Sequence, residues 1–348
     1  MIKIKILNPK KGRNEVTFRP FLQAKNVLRD YSIDITDSDD YDYLFLGMQD
    51  FMDKKISLKD SIDFGLETIS KIDGDYFLFD GSDSTSMMGA YEVFTQSDAI
   101  YLFKNQLLMN RDDYKVPYAF NKFFFGSGSE IDLSYDITDD EWSRIKLTNI
   151  NCARTVFGTG VTPYLDNMPP ISNQKNIDLC AIFQAEHPEN RDHGFRNDIY
   201  YTKHRKGLWN ELEPLKEKYK MITQKMPFQE YIENLRNSKI SLSPFGMGEI
   251  CFRDFESILS GTIILKPNQS MVNSEPNVFV EGETYIGCEH DWSNLEEKIE
   301  YIIDNFNLLQ EKINTNVRKM LKETCNYEYF CLHYYNIFSN LKDIKSYE

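Results

Sequence analysis

The sequence predicts an α/β fold made of two domains, each built around a largely parallel sheet. The chain has 348 residues, and because a domain typically holds about 150 residues, this length suggests two of them. Apolar residues make up 41% of the chain, which is enough for each domain to bury its own core. Short apolar runs alternate with stretches of helical spacing, and this alternation is typical of α/β units with parallel strands.

The N-terminal domain is predicted to cover residues 1–165. Its expected strands are Ile2–Leu7, Tyr43–Gly47, Tyr76–Phe79 and Ala99–Phe103. A loop rich in Pro, Lys and Gly follows the first strand at Pro9–Arg13. Between the second and third strands, Ile62, Leu66 and Ile69 have the spacing of one helical face.

A loop-rich passage separates the two predicted domains. Residues that interrupt helices and strands cluster there: Gly158, Gly160, Pro163, Pro169 and Pro170. We place the linker near residues 163–174 and the second domain at residues 175–325. An aromatic-rich helix in residues 326–348 is expected to pack back toward the first domain.

The second domain repeats the alternation of strands and helices. Its expected elements are a strand at Ile177–Phe183, a helix at about Gly207–Lys218, a helix from Phe228, a strand at Ile240–Leu242, a helix at Phe252–Leu259, a strand at Thr262–Leu265 and a helix from Leu295. Gly261 is the predicted C-terminal cap of the helix before the last strand.

The segment at residues 238–267 predicts a ligand site. Gly246 and Gly248 let the backbone approach a ligand closely, and the free N–H groups of the helix that follows attract an anion. Arg253, in the first turn of that helix, can hold a phosphate through two hydrogen bonds. Glu256, one turn further on, can accept hydrogen bonds from the two hydroxyls of a ribose. Together these residues predict a site for a nucleoside diphosphate group.

The pattern resembles a known family. Arg253-x-x-Glu256, followed at Gly261 by an apolar strand ending in Lys266-Pro267, is similar to the donor-site helix of nucleotide-sugar glycosyltransferases with the GT-B architecture. In that architecture two Rossmann-like domains face a central cleft. The likeness covers about residues 231–303 and points to the exostosin-like and spore-coat-protein-like branches.

The resemblance implies a role for each domain and for several residues. The second domain would bind the donor, with Glu256 on the ribose and Arg253 on the diphosphate, while the first domain would hold the acceptor. A basic residue on the loop after the first strand of the donor domain commonly faces the phosphates, which points to Arg191 or Arg196. Lys266 either reaches the cleft as well or forms the polar end of a strand.

One difference from the family concerns stereochemistry. Many retaining members place an acidic residue eight positions before the ribose-binding glutamate, where this chain has Gly248, with Glu249 one step out of register. The motif therefore does not support retention of configuration.

Two acidic motifs in the first domain are candidates for chemistry. Asp80 and Asp83 follow a predicted strand at the carboxyl edge of the sheet, where open α/β folds place ligands. An inverting transferase needs a base for the acceptor hydroxyl, and Asp80 is the first candidate, with turn capping as the alternative. Asp37-Ser-Asp39 copies a metal-binding Asp-x-Asp signature, but its place in the domain favours a solvated turn, and no metal site is predicted.

Charge limits the partners that the sequence favours. Lys and Arg total 40 and Asp and Glu total 54, so the net charge is −14, which argues against a protein that mainly grips nucleic acid or an anionic membrane. No stretch approaches the roughly 20 apolar residues needed to span a bilayer. The expected location is the cytoplasm.

The resulting hypothesis is a glycosyltransferase that moves a hexose or pentose from a nucleotide sugar, such as a UDP- or GDP-sugar, to a hydroxyl acceptor. A glycan or another small hydroxyl-bearing molecule suits the acidic surface best, and neither a metal ion nor another cofactor is expected. Two alternatives stay open. One is transfer to modified bases of viral DNA, and the other is a non-catalytic nucleotide-sugar sensor or scaffold.

Overall fold

Two parallel sheets form the centre of the structure, which confirms the predicted α/β class. The structure, a computed structural model, describes residues 1–52, 57–129, 131–150, 171, 174–185 and 198–345. None of the helices in these ranges is both long and apolar enough to cross a membrane.

The first half of the chain forms a six-stranded sheet and its covering helices. The strands of this sheet are β1 (Ile2–Ile6), β2 (Ile33–Thr36), β3 (Tyr43–Gly47), β4 (Tyr76–Asp80), β5 (Leu102–Lys104) and β9 (Ile145–Leu147). Three short strands of this half lie outside the sheet: β6 (Gln106–Leu108), β7 (Tyr118–Ala119) and β8 (Asp132–Leu133). Its helices are α1 (Arg13–Gln23), α2 (Lys25–Asp30), α3 (Met48–Phe51), α4 (Leu58–Ile69), α5 (Ala90–Thr95) and α6 (Asp139–Arg144). The sheet is entirely parallel, in the order β2-β1-β3-β4-β5-β9.

The second half forms a five-stranded parallel sheet. The strands of this sheet are β10 (Ile177–Cys180), β11 (Met221–Ile222), β12 (Ser238–Leu242), β13 (Ile263–Pro267) and β15 (Ile286–Cys288). A further short strand of this half, β14 (Val272–Ser274), lies outside the sheet. Its helices are α7 (Asp198–Leu212), α8 (Phe228–Arg236), α9 (Phe252–Leu259), α10 (Leu295–Asp304), α11 (Phe306–Thr324) and α12 (Tyr327–Lys345). The sheet order is β11-β10-β12-β13-β15.

Aromatic side chains fill one face of the first sheet. Phe18 and Phe21 of α1 pack against Phe45 of β3 and Phe79 of β4, and all four rings are buried. The last helix joins this core, since the ring centroids of Phe21 and Tyr334 lie 4.6 Å apart. The C-terminal helix α12 is therefore held on the N-terminal sheet by aromatic packing.

The two halves share a core on the other face of the first sheet. Leu78 of β4 and Val93 of α5 belong to the same buried apolar cluster as Phe255 and Ile258 of α9. Strand β14 of the second half also pairs with β6 of the first half in antiparallel register. These contacts bring the turn before α9 against the loop after β4.

Local pattern and structure differ at two helices. Helix α1 buries the polar Asn14 and Thr17 and contains Pro20, so its buried face lacks the apolar spacing that predicts a helix. Helix α7 starts earlier than expected and ends at Leu212, where a 3-10 helix with Pro214 in its first turn follows, because proline has no N–H for the α-helical ladder. Gly261, by contrast, follows α9 with a φ of 66°, which confirms the predicted cap.

Candidate functional site

A cavity of about 430 Å³ opens at the carboxyl edge of the second sheet. Its lining comes from the segment after β10, from α7, from α8 and the segment before it, and from α9 and the residue before it. The lining residues are Ile182, Arg205, Met226, Phe228, Tyr231, Cys251, Phe252, Arg253 and Glu256. Both charged residues of the Arg253-x-x-Glu256 motif line this cavity, and we call it the donor pocket after the role that the resemblance implies for that motif.

Helix α9 is anchored firmly at its first turn. The backbone N–H of Cys251 donates to Oδ2 of Asp254 at 2.9 Å, and the Ser243 hydroxyl donates to Oδ1 of the same carboxylate at 2.6 Å. Phe255 and Ile258 bury the opposite face of the helix in the shared core. Since residues three apart lie on one side of a helix, Arg253 and Glu256 both reach the donor pocket.

The Arg253 guanidinium has unused hydrogen-bonding capacity. Its Nη1 is buried and has no hydrogen-bond partner among the described residues. Because a buried charged donor without a partner is costly, such a group points to an anionic ligand that completes it.

Arg205 of α7 is a second guanidinium in the pocket, and the sequence analysis missed it. Its Nε donates to the carbonyl of Phe245 and its Nη1 to the carbonyl of Gln184, both at 2.9 Å. The side chain lies over the Tyr201 ring, 4.1 Å from its centroid, and is only 4% exposed. Burial, together with the charge of Arg253, lowers the pKa of Arg205 to about 10.

The signal for Arg205 in the sequence is weak. It belongs to the basic run Lys203-His204-Arg205-Lys206, in which both lysines are exposed and only the arginine is buried.

Two cations held close together in a pocket repel each other, and an anion between them relieves that repulsion. The pair Arg205 and Arg253 therefore suits a diphosphate.

Glu256 is oriented by a neighbouring tyrosine. The Tyr231 hydroxyl donates to Oε2 of Glu256 at 3.0 Å, while Oε1 has no hydrogen bond from any described residue. Glu256 is 8% exposed, and this burial raises the pKa of its carboxyl, although the Tyr231 hydrogen bond and the Arg253 charge act in the opposite direction. One carboxylate oxygen is thus fixed and the other is available to a ligand.

The two glycines of the turn lie in different surroundings. A Cβ on Gly246 would lie 3.8 Å from Nη2 of Arg205, so this residue lies next to a guanidinium of the donor pocket. A Cβ on Gly248 would lie 1.1 Å from the carbonyl oxygen of Asp83, so only glycine fits against the loop of the first half. Gly248 serves the contact between the halves.

Lys266 lies beneath α9, away from the pocket lining. It is fully buried, and its Nζ donates to Oδ2 of Asp254 at 2.8 Å and to the carbonyl of Glu249 at 2.9 Å. The Lys266 ammonium also lies over the Phe279 ring. The structure does not bring Lys266 together with Arg253 and Glu256.

Asp80 is enclosed at the end of β4. It is 1% exposed, and its Oδ2 lies 2.5 Å from Nζ of Lys104 on the neighbouring strand. Its Oδ1 accepts a hydrogen bond from the backbone N–H of Ser82 at 2.9 Å, which is the turn-capping arrangement. Asp83 is only partly buried, and its backbone touches Gly248.

The remaining sequence candidates lie elsewhere. Arg191 and Arg196 fall outside the described residues. Asp37 and Asp39 belong to an exposed turn after β2, and Asp39 forms a surface ion pair with Lys5. In the part of the chain that the structure describes, no group of three or more His, Cys, Asp or Glu side chains is arranged to hold a metal ion.

A larger cavity, of about 800 Å³, lies at the amino edge of the first sheet against α12. Its cations already serve backbone carbonyls: Arg144 donates to those of Ala99 and Ile100, and Lys146 to that of Ser143. We take the smaller donor pocket as the candidate site, because Nη1 of its Arg253 is buried and has no hydrogen-bond partner among the described residues.

Neither a protein-family model nor a curated protein matches this chain. Several solved structures resemble it. Sucrose-phosphate synthase from Thermosynechococcus elongatus superposes with a TM-score of 0.50 at 10% identity, over 99% of this chain and 100% of that one. A glycosyltransferase from Rickettsia africae ESF-5 gives 0.44 at 13% identity, over 97% and 98%. HepE from Anabaena, in complex with UDP and glucose, gives 0.48 at 10% identity, over 98% and 100%.

The two parallel sheets and the likeness to sucrose-phosphate synthase define the class of fold. The chain has the GT-B architecture that the motif implied, with a Rossmann-like sheet in each half. At 10% identity the likeness establishes the fold, whereas the chemistry depends on the residues of the donor pocket.

Proposed function

We propose that the protein is a glycosyltransferase that binds a nucleoside-diphosphate sugar in the donor pocket and transfers its sugar to a hydroxyl acceptor held by the first half. One observation carries this proposal. Two guanidinium groups, Arg205 and Arg253, meet the Tyr231-oriented carboxylate of Glu256 in a single pocket. A diphosphate next to a ribose presents the complementary groups, two phosphates and two vicinal hydroxyls.

The exposed rings at the pocket rim fit the base of the same ligand. Phe228 and Phe252 are each 46% exposed although they line the pocket. Aromatic side chains of this kind offer a stacking surface to a nucleobase. UDP and GDP are the first nucleotides to test.

The transfer needs charge stabilisation and one proton acceptor. The acceptor oxygen forms a bond to the anomeric carbon while the bond from that carbon to the diphosphate oxygen breaks, and the diphosphate leaves with the electron pair. Arg205 and Arg253 would neutralise the charge that develops on it, so we propose that no metal ion is required. The acceptor proton would pass to a base, for which Asp83 fits better than the enclosed Asp80.

Other features of the proposal rest on the sequence alone. They are the exostosin-like or spore-coat-protein-like branch, a hexose or pentose as the sugar, a glycan or another hydroxyl-bearing molecule as the acceptor, and a cytoplasmic location. In this proposal Lys266 does not bind the donor and instead stabilises helix α9 through its ion pair with Asp254.

Titration calorimetry with UDP, GDP and CMP tests the donor site. Arg253→Ala should weaken nucleotide binding about tenfold to hundredfold, since a hydrogen bond to a charged group contributes about 1.5–3 kcal/mol. The matched control is Arg29→Ala, which removes a surface arginine paired with Asp34 and should leave binding unchanged. Absence of nucleotide binding by the folded wild-type protein would refute the proposal.

A non-catalytic nucleotide-sugar sensor is the second candidate. The observation that favours it is the burial of Asp80, the first candidate base, against Lys104. A UDP-release assay with UDP-glucose, in the presence and absence of a chelator and with a panel of acceptors, separates the two functions. Tight binding of the donor with no turnover under any of these conditions would favour the sensor.

A further inference from the structure

A cluster of exposed cations lies on the loop after β1 and on the first residue of α1. We call residues 8–13 the basic loop, and it contains Lys10, Lys11 and Arg13, all exposed. Within the described parts of the chain, Lys10 and Arg13 form no ion pair, and Nζ of Lys11 lies 3.7 Å from Oδ1 of Asp50. Three cations in four residues, with only this one pairing, stand out in a protein whose net charge is −14.

The basic loop lies at the edge of the first sheet that meets the second half of the chain. It follows β1, and the Asp80–Asp83 loop, whose backbone touches Gly248, follows β4 at the same carboxyl edge. Only β3 separates β1 from β4, so the two loops start about 10 Å apart at a strand spacing of about 4.8 Å. This distance is within the length of a small acceptor.

A buried carboxylate holds the basic loop in shape. Nδ2 of Asn8 donates to Oδ1 of Asp50 at 2.8 Å, and Nδ2 of Asn14 donates to Oδ2 at 2.6 Å. Asp50 is only 4% exposed, and Asn8 takes a left-handed conformation with a φ of 44°. The cations therefore project from a loop whose backbone is fixed before any ligand binds, which reduces the entropy cost of binding.

From this arrangement, and resting on the proposed function, we propose that the acceptor is a sugar phosphate whose phosphate group binds the basic loop. A phosphate monoester carries close to two negative charges near neutral pH, and ammonium and guanidinium groups are its usual partners in proteins. The phosphate would anchor the acceptor while its hydroxyl faces the donor pocket.

The surroundings of the basic loop favour a single phosphate over a polyanion. Strand β2, next to β1, ends in an acidic turn in which Asp39 and Asp40 pair with Lys5 and Lys3 and have side chains that are 96% and 80% exposed. A nucleic acid that extended past the basic loop on that side would meet these carboxylates. The cationic surface is short, and it matches one phosphate group.

Calorimetry on the UDP-saturated protein tests the proposal. The titrants are glucose 6-phosphate, fructose 6-phosphate and inorganic phosphate, each sugar phosphate being compared with its unphosphorylated sugar. At least one sugar phosphate should bind about tenfold or more tightly than its sugar, and added salt should weaken that preference. The triple variant Lys10→Gln, Lys11→Gln, Arg13→Gln should abolish it.

The matched control is the triple variant Lys59→Gln, Lys71→Gln, Arg29→Gln. It removes the same number and types of charge from surface ion pairs, and it should keep the phosphate preference. The proposal is overturned if no sugar phosphate is preferred, if the basic-loop variant keeps the preference, or if a duplex DNA oligonucleotide binds more tightly than every sugar phosphate.

The donor site is tested separately in the same proteins. UDP should bind the basic-loop variant and the wild type equally, because the basic loop belongs to the acceptor side. If UDP does not bind even the wild type, the proposed function fails whatever the phosphate titrations show. If UDP binds normally and the sugar phosphates show no preference, only the acceptor proposal fails.

Discussion

The hydroxyl of Thr85 in the first half donates a hydrogen bond to Oε1 of Glu249 in the second half, with 2.7 Å between the oxygens. The backbone N–H of Thr85 also donates to Oε2 of Glu249, at 3.1 Å. Glu249 is 1% exposed and immediately follows the glycine turn that leads into α9. Thr85 of the first half thus holds the buried Glu249 carboxylate, and with it the turn that leads into α9 and the donor pocket.

Replacing Thr85 with Val should destabilise the fold. Valine keeps the volume but removes the hydroxyl, so the buried Glu249 carboxylate loses one donor, at a cost of about 1–3 kcal/mol in the free energy of unfolding. Denaturant unfolding measures this change. Thr95→Val, at an exposed threonine, is the control, and an equal effect of both variants would contradict the role assigned to Thr85.

Gly248→Ala should disturb the contact between the halves. The added Cβ would lie 1.1 Å from the Asp83 carbonyl oxygen, so the two backbones must separate, and we expect a loss of about 1–3 kcal/mol or more. The control is Gly207→Ala in α7, where the nearest atom would lie 3.8 Å away. Thermal unfolding of both variants is the measurement, and an unchanged midpoint for Gly248→Ala would show that the halves are not in this contact in solution.

Nucleotide binding should depend on the protonation of Glu256. Burial raises the pKa of this carboxyl above its ordinary value of 4.5, so protonation begins at a higher pH than for an exposed glutamate. A protonated carboxyl is a poorer acceptor for ribose hydroxyls, so UDP affinity should fall as the pH drops through the raised pKa. Calorimetry across the acidic range measures this.

Glu256→Gln supplies the comparison for the pH profile. The amide cannot titrate, so the part of the profile that belongs to Glu256 should disappear, leaving only the titration of the nucleotide phosphate. The raised pKa also means that the folded state disfavours the charged form of Glu256. The contribution of Glu256 to the free energy of unfolding therefore falls as the pH rises from 4.5 through the raised pKa. If the wild type and Glu256→Gln show the same pH profile, Glu256 does not contact the ribose.

Asp80 and Asp83 should respond differently to amide substitution. Asp83→Asn should lower kcat while leaving UDP affinity unchanged, because a base acts in the transfer step and not in donor binding. Asp80→Asn should instead destabilise the protein by about 3–5 kcal/mol, because it leaves the buried Lys104 ammonium without its counter-charge. A stable Asp80→Asn variant with low kcat would reverse these assignments.

Local patterns were sufficient for part of the donor pocket. Arg253 and Glu256 share one side of α9 because of helical spacing alone, and the apolar run after Gly261 predicts β13 in the same way. Arg205 was not predictable, because the sequence does not show which cation of its basic run turns inward. Its selection depends on the carbonyls of Phe245 and Gln184, which come from other elements.

Contacts between distant elements also decide the place of the predicted residues that lie outside the pocket. Asp80 and Lys266 have the residue type and strand position of ligand-binding groups, yet each is neutralised by a partner: Lys104 on the neighbouring strand and Asp254 on the overlying helix. Gly248 looks like a phosphate-loop glycine, but its lack of a side chain is needed for the Asp83 backbone. These pairings follow from sheet order and domain contact, which single-residue patterns do not encode.

Composition and short-range spacing were therefore enough to establish the α/β class, the two parallel sheets and the helix that carries Arg253 and Glu256, because these depend on residues within a few positions of one another. The assignment of Arg205 to the pocket, of Asp80 to an ion pair and of Glu249 to the first half required the folded molecule. Each of them depends on a contact between elements far apart in the chain, and burial at such contacts decides whether a charged group is free to meet a ligand or is already satisfied.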